Sequence, residues 1–498
     1  MVKVPDIRIR PVNTLPVQQD GEFVLYWMIA ARRRGWNFAL QRAVERAREM
    51  GKPLVVLEAL RCDYPWASDR LHRFILDGMA DNAAAFRGSP AFYYPYVEPA
   101  KGAGKGLLAA LAERCCLVVT DEFPAFFLPH MVAAAAAKVP VRLEQVDGNG
   151  LLPLRTADHD YPTAYAFRRF LQKELPGHLV ELPESDPLSR IALPPARFAP
   201  EVLRRWPPAT TAPLAASASF MASLPIDHSV APVAIRGGAV AGTQALRHFL
   251  ADKLADYPER RNEPEADATS GLSPYLHFGH LSTHQVFSEL AAQQTWDPGR
   301  LSFASRGKRS GWWGMSEAAE AFLDQLVTWR ELGFNACTFR DDFDRFDALP
   351  SWALTTLMKH ADDPRPHLYT LEEFAGGGTH DPLWNAAQMQ LVREGRLHNY
   401  LRMLWGKKIL EWSLTPMDAA AVMIELNNRY ALDGRDPNSY SGIFWCLGRY
   451  DRPWGPERPI FGTVRYMSSA NTARKVRVKD FIRRYTPVKP TPLASDVH

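Results

Sequence analysis

The chain has 498 residues, 46% hydrophobic and 23% charged, with a net charge of +4. This is globular composition, enough for two or three domains at roughly 100–200 residues each, and it excludes a largely disordered chain. No apolar run approaches the ~18 residues of a membrane span, and the Met-Val-Lys-Val-Pro-Asp start lacks a secretory apolar core, so a cytoplasmic, soluble protein is expected.

In chain order, Phe23–Ile29 reads as a strand, Phe38–Met50 as a helix, Pro53–Leu60 as a strand and Leu71–Phe86 as a helix. Strands follow at Ala91–Tyr96, Cys116–Asp121 and Val139–Val146, with helices at Leu107–Arg114 and around Leu128–Lys138. Alternation at this pace predicts parallel strands with helical crossovers, a doubly wound α/β domain at 20–182 whose ligands sit beyond the carboxyl ends of the strands. From Pro183 to Ala241 the chain is rich in Pro, Ala and Ser and reads as an interdomain connection. Beyond it, apolar residues recur at helical spacing in Ala245–Leu254, Ala318–Leu332, Leu383–Val392, Leu397–Leu410 and Ala419–Leu426, so an all-helical domain is predicted over 242–485.

Five cysteines (Cys62, Cys115, Cys116, Cys337 and Cys446) are too few for a disulfide framework and lack C-x-x-C spacing, so no metal is expected. Fourteen tryptophans, ten of them after residue 295, form the more telling excess. Trp405 and Trp412 stand seven apart and share a helix face near Trp384, a spacing that on its own more often means core packing. The Thr269–Ser282 run of hydroxyls and glycines ahead of a helix suits a phosphate, though a capped turn explains it equally well. Asn427–Asn438 is a loop dense in amides and carboxylates, either a solvated turn or a binding loop. Between Arg465 and Arg484 seven Lys or Arg residues face one acid, Asp480, with Tyr466, Phe481 and Tyr485 interleaved or adjacent, which favours a phosphate-tracking surface over a merely solvated face.

Several of these stretches together resemble the class II cyclobutane pyrimidine dimer photolyases of the photolyase and cryptochrome superfamily. They are Tyr26-Trp-Met28, Tyr257-x-x-x-Arg-Asn262, Leu272-Ser-Pro-Tyr-Leu-His-Phe-Gly279, Trp329-Arg-Glu-Leu332, Thr379-His-Asp-Pro-Leu-Trp-Asn-Ala-Ala-Gln388, Lys407–Trp412, Asp433-Gly-Arg-Asp-Pro-Asn438 and Arg458–Gly462. The resemblance runs from about 22 to 485 and is tightest after 320. It implies an N-terminal antenna domain, a helical catalytic domain holding FAD, and a second, antenna chromophore of unidentified chemistry. It implies that Tyr257 and Ser273, Pro274, Tyr275 and Leu276 hold the adenine nucleotide side, that Arg402 and Asp433 pair beside the isoalloxazine, and that Asn427 faces its reactive nitrogen. Trp405, Trp384 and Trp412 become the proximal, middle and distal members of a photoreduction chain. Trp329 and Trp445 become lesion wedges, and Arg465, Arg474, Lys475 and Arg477 contact DNA carrying pyrimidine dimers.

The chain departs from this pattern in two places. Where the family has a glutamate that hydrogen-bonds the dimer stands Gln325, an amide that donates a hydrogen bond but cannot supply a proton. After Tyr26-Trp-Met28 the family's Arg-Asp is replaced by Ala30-Ala31. The leading expectation is a monomeric, light-driven photolyase. The alternative is a cryptochrome-like photoreceptor without repair, which Gln325 favours.

Overall fold

The structure, a computed structural model, describes residues 2–486. The chain forms two compact units. One takes the chain up to Pro258 with Thr269–Phe343 and Arg435–Ser439, the other Glu259–Ala268, Asp344–Gly434 and the chain from Tyr440 on.

The first unit is built on a six-stranded sheet of β1 (Ile9–Pro11), β2 (Phe23–Met28), β3 (Leu54–Leu60), β4 (Ala91–Val97), β5 (Cys115–Glu122) and β6 (Leu143–Asp147), in the order β1-β6-β5-β2-β3-β4. β2 to β6 are parallel and β1 lies antiparallel on β6. Helices α1 (Phe38–Met50), α2 (Asp69–Ala85), α3 (Leu107–Ala112) and α4 (Leu128–Ala136) make the crossovers. All six residues of β2 are buried, as a parallel strand covered on both faces must be. Asn37 starts α1 by accepting from the Leu40 amide, and Gly51 ends it at φ 63°, in the left-handed region where glycine carries no Cβ penalty. The strand order reverses between β2 and β5, which opens a crevice at the carboxyl ends of those strands.

The doubly wound reading is thus observed, with differences in detail. The strand expected over Val139–Val146 begins only at Leu143, Val139 and Val141 being buried ahead of it. β1 was not legible, because three residues ending in proline show no alternation and it is the pairing with Glu144–Val146 that defines them. The proline-rich stretch 183–241 carries the short helices Pro200–Arg205, Thr211–Leu214 and Ala218–Ala222. It buries Trp206 in the sheet core, with Nε1 donating to the Ala103 carbonyl at 2.9 Å. The predicted helix Ala318–Leu332 is broken into Glu317–Leu323, a π-helical turn Asp324–Trp329 and Arg330–Phe339. Single-turn π segments insert a residue without changing residue type, so apolar spacing cannot reveal them.

The second unit is helical. Asp381 starts the helix Pro382–Glu394 by accepting from the amides of Leu383 and Trp384, with proline at the first position. The helix Asn399–Trp412 follows, and a Thr415–Asp418 capping box starts Pro416–Tyr430. Their shared core includes Phe374, Trp384, Leu391, Leu404, Trp405 and Trp412.

Candidate functional site

Three tryptophans of the second unit are brought together and sealed. Trp384, Trp405 and Trp412 are each no more than 1% exposed. The Trp384 indole donates to the Trp405 carbonyl at 3.0 Å, and its ring meets Trp412 at 5.8 Å between centroids, nearly perpendicular. Trp405 Nε1 donates to Gln388 Oε1 at 2.9 Å. Gln388 closes the Thr379–Gln388 motif, yet residue type alone does not single it out. Its role appears only when two helices bring it to the Trp405 indole. The arrangement suits electron movement: the Trp384 and Trp412 rings are in contact, Trp384 is hydrogen-bonded to the Trp405 backbone, and the Trp384 and Trp405 indole N–H groups are satisfied by protein acceptors.

Arg402 and Asp433 also meet, with Arg402 Nη2 3.5 Å from Asp433 Oδ2 and both half-buried. Each keeps a buried polar atom without a hydrogen-bond partner, Nε of Arg402 and Oδ1 of Asp433. Unsatisfied buried donors and acceptors are costly, at about 1–3 kcal/mol each, so this pair has the chemistry of a site completed by a polar ligand. Asn427 is buried in the same unit, its amide donating to Asn428 Oδ1 at 3.3 Å.

In the first unit Gln325 and Trp329 lie half-buried on the π turn. The following residues of the Trp-Arg-Glu-Leu motif fasten this turn. Arg330 donates to the Asn149 carbonyl at 2.8 Å, and the Glu331 carboxylate accepts the amides of Leu151 and Leu152. Burial raises the Glu331 carboxyl to about 7. Tyr257 is buried, edge-on to Phe249 and Phe322. The segment Ser273–His277 is a five-residue helix in which Pro274 and Tyr275 are buried. Tyr275 is committed within the unit, its hydroxyl donating to the Arg236 carbonyl at 3.0 Å and its ring packed on Phe74. Of this stretch, Ser273 is exposed and Leu276 half-buried.

At the carboxyl ends of the strands Asp121 accepts a hydrogen bond from the Tyr26 hydroxyl and three from the amides of Ile29, Ala30 and Ala31. The backbone thus supplies what side chains at Ala30 and Ala31 do not. A cavity of about 520 Å³ lies in the first unit, walled by Trp27, Tyr64, Tyr96, Phe126, Phe127 and His277 among others. His277 Nδ1 lies 3.2 Å from Asp436 Oδ2.

The basic segment of the second unit is exposed as expected for a surface: Arg465, Arg474, Lys475 and Arg477 all face solvent. The structure adds aromatic partners that the run of charges did not identify. Trp454, 37% exposed, lies under both Arg452 and Arg465, at 4.8 and 5.1 Å, and Tyr466 lies under Arg458 at 5.0 Å. Half-burial leaves Trp445 partly accessible.

No family model matches the chain. The chain is 34% identical to a deoxyribodipyrimidine photo-lyase of Methanothermobacter thermautotrophicus over 96% of its own length and 97% of that protein. It is 32% identical to one from Potorous tridactylus over 95% of this chain and 82% of the other, and 34% identical to one from Oryza sativa subsp. japonica over 93% and 87%. Among solved structures, a bacterial class III photolyase from Agrobacterium tumefaciens shares the fold, with a TM-score of 0.65 at 18% identity over 94% of this chain and 87% of that one.

Proposed function

Because the chain belongs to the deoxyribodipyrimidine photo-lyases of the photolyase and cryptochrome superfamily, we propose that it is a class II enzyme acting on cyclobutane dimers. Its activity is light-driven repair of pyrimidine dimers in DNA. The class II reading is supported above all by the packed tryptophans, since two long motifs, Thr379–Gln388 and Lys407–Trp412, supply Trp384 and Trp412, whose rings meet, and the Trp384 indole donates to the Trp405 carbonyl.

The family implies a flavin, and the residues present fit FAD: the orphaned Arg402 Nε and Asp433 Oδ1 offer a donor and an acceptor to a heterocycle. Arg402, Asp433 and Asn427, all of the second unit, would hold its ring system. When bound, photoexcited reduced flavin supplies the electron that splits the dimer and takes it back afterwards. Everything else falls to the chain. A dimer stacked in a duplex cannot reach a buried cofactor, so it is flipped out, and a damaged, poorly stacked step is the easiest to extrude. Trp329 and Trp445 offer apolar walls to the extruded bases. Gln325 donates its amide N–H to a dimer carbonyl. The exposed cations Arg465, Arg474, Lys475 and Arg477 hold the phosphate backbone, and Trp454 and Tyr466, flanked by arginines, extend that surface with stacking faces. The aromatic cavity of the first unit supports an antenna chromophore there. The functional domains are then 20–182, a connection at 183–241, and 242–485.

Gln325 favours the second reading, a cryptochrome-like receptor. The deciding experiment illuminates purified protein, reconstituted with FAD and reduced, on dimer-containing DNA. Repair by the parent is expected, raised in Gln325→Glu, which can donate a proton, and lowered in Gln325→Ala. If flavin is bound and reduced and neither the parent nor Gln325→Glu repairs dimers, the receptor reading stands.

A further inference from the structure

The segment 451–466 carries Trp454, Arg458, Arg465 and Tyr466, yet no helix or strand runs through it. It is closed on itself by the Trp454 amide, which donates to the Thr463 carbonyl at 2.8 Å, and by paired backbone bonds between Arg458 and Gly462. Buried Ile460, Phe461 and Val464 hold it to the core of the second unit, and a polar cluster holds it to the end of the helix Ser351–Lys359. His360, which ends that helix, stands between two carboxylates, with Nδ1 2.6 Å from Asp363 Oδ2 and Nε2 2.9 Å from Glu457 Oε1. Lys359 Nζ donates to both Glu457 oxygens, at 3.0 and 2.9 Å. Asp363 Oδ2 also accepts the Ile460 amide at 2.7 Å, and the Thr356 hydroxyl oxygen accepts the Thr463 amide at 2.9 Å. A neutral imidazole has one N–H, so one of its nitrogens would turn a lone pair toward a carboxylate. Only the doubly protonated ring donates to both.

We propose that His360 is a positioning residue for DNA binding: as an imidazolium it ties 451–466 to the helix end, and loss of its second proton releases that tie. The proposal rests on the reading of Trp454, Arg465 and Tyr466 as DNA contacts. The charged groups around the ring are Asp363 and Glu457, with Lys359 against Glu457 and Arg365 near Asp363. The hydrogen bond to Glu457 raises the His360 pKa above its ordinary value, burial opposes the rise, and Asp363 adds to it. A cation is also favoured at the helix C-terminus that His360 occupies. The tie is therefore complete below about 6.5, the ordinary histidine value, and is lost as pH rises through the raised value. Deprotonation leaves Glu457 to Lys359 and sets a lone pair against one carboxylate. The cations and rings of 451–466 then lose their fixed place, although no arginine among them changes charge.

The test measures the affinity of the FAD-loaded protein for a dimer-containing duplex by fluorescence anisotropy from about pH 6 to 9 at fixed ionic strength, with hydrogen-exchange protection of the Ile460 and Thr463 amides on the same samples. His360→Arg, which keeps a permanent cation with donors for two carboxylates, is the reference. Relative to it, the parent should lose affinity several-fold as pH rises, and protection of both amides should fall in the same window. His360→Gln should already be weakened at the acid end and show no further step. Parent affinity and protection that run parallel to His360→Arg overturn the proposal and leave the DNA surface standing. Protection that falls in the parent while affinity does not also overturns it, since the tie then positions nothing for DNA. A parent whose DNA binding at the acid end does not respond to salt removes the DNA reading and the proposal together.

Discussion

Within the helical unit, two groups of aromatic rings near cationic side chains have opposite surroundings. Trp384, Trp405 and Trp412 are sealed, and the indole N–H groups of the first two are spent on protein acceptors. Trp454 and Tyr466 are 37% and 36% exposed and lie beneath guanidinium groups. Burial places the first group in a low-dielectric interior, the setting that the proposed relay requires. Exposure leaves the second group free to exchange water for bases and phosphates. What an aromatic residue contributes is therefore set by what covers it more than by its kind.

The sharpest way to break this contrast is Trp405→Phe. Phenylalanine fills most of the volume but is far harder to oxidise, so flavin photoreduction under continuous illumination should fall by two orders of magnitude or more, on the order of 3 kcal/mol in barrier terms. Repair after chemical reduction should fall far less, since photoreduction and repair are separate electron transfers. Photoreduction at the parental rate would return the sealed tryptophans to plain core packing.

The exposed group should respond to salt instead. Replacing Arg465, Arg474, Lys475 and Arg477 by glutamine should weaken binding to damaged and undamaged duplexes alike and make the log–log salt dependence shallower by about one unit per lost phosphate contact. An unchanged slope in a fluorescence titration would leave these cations merely solvated.

A buried cation sharpens the comparison through pH. Lys407 is fully buried in the second unit, its ammonium donating to the Cys446 carbonyl, and burial lowers its pKa to about 8. An unfolded lysine titrates near 10.4, so between about 8 and 10.4 the unfolded chain binds more protons and stability rises with pH, by up to about 3 kcal/mol. Lys407→Met should flatten that rise in chemical denaturation measured across the same window. A parent curve that is flat there would mean that Lys407 stays charged at little energetic penalty.

The smallest expected effect is at Trp454. Trp454→Ala removes a stacking face worth about 1–3 kcal/mol in single-stranded contacts. It should weaken DNA affinity while leaving the salt slope near parental, because no phosphate contact is lost. A changed slope with unchanged stacking would assign Trp454 to holding Arg452 and Arg465 in place.

Much of the architecture was written locally. The alternation of buried strands and amphipathic helices up to Val146 specifies a parallel sheet, because periods of two and 3.6 are read within a few residues. The start of Pro382–Glu394 is equally local, in the Asp381-Pro382 pair. Tertiary structure alone decided the rest. Nothing near Trp412 in the chain says that Tyr369 and His380 cover it. The resemblance implied that Arg402 pairs with Asp433, but not that one atom on each is left without a hydrogen-bond partner. β1 exists only because β6 pairs with it, and Trp206 lies in the core only because the sheet offers it a place. Capping, turn chemistry and periodicity act between neighbours and are legible one segment at a time. Burial, dielectric environment and hydrogen-bond completion are sums over the whole packed unit, and those sums determine which tryptophan is sealed and which stays open to solvent.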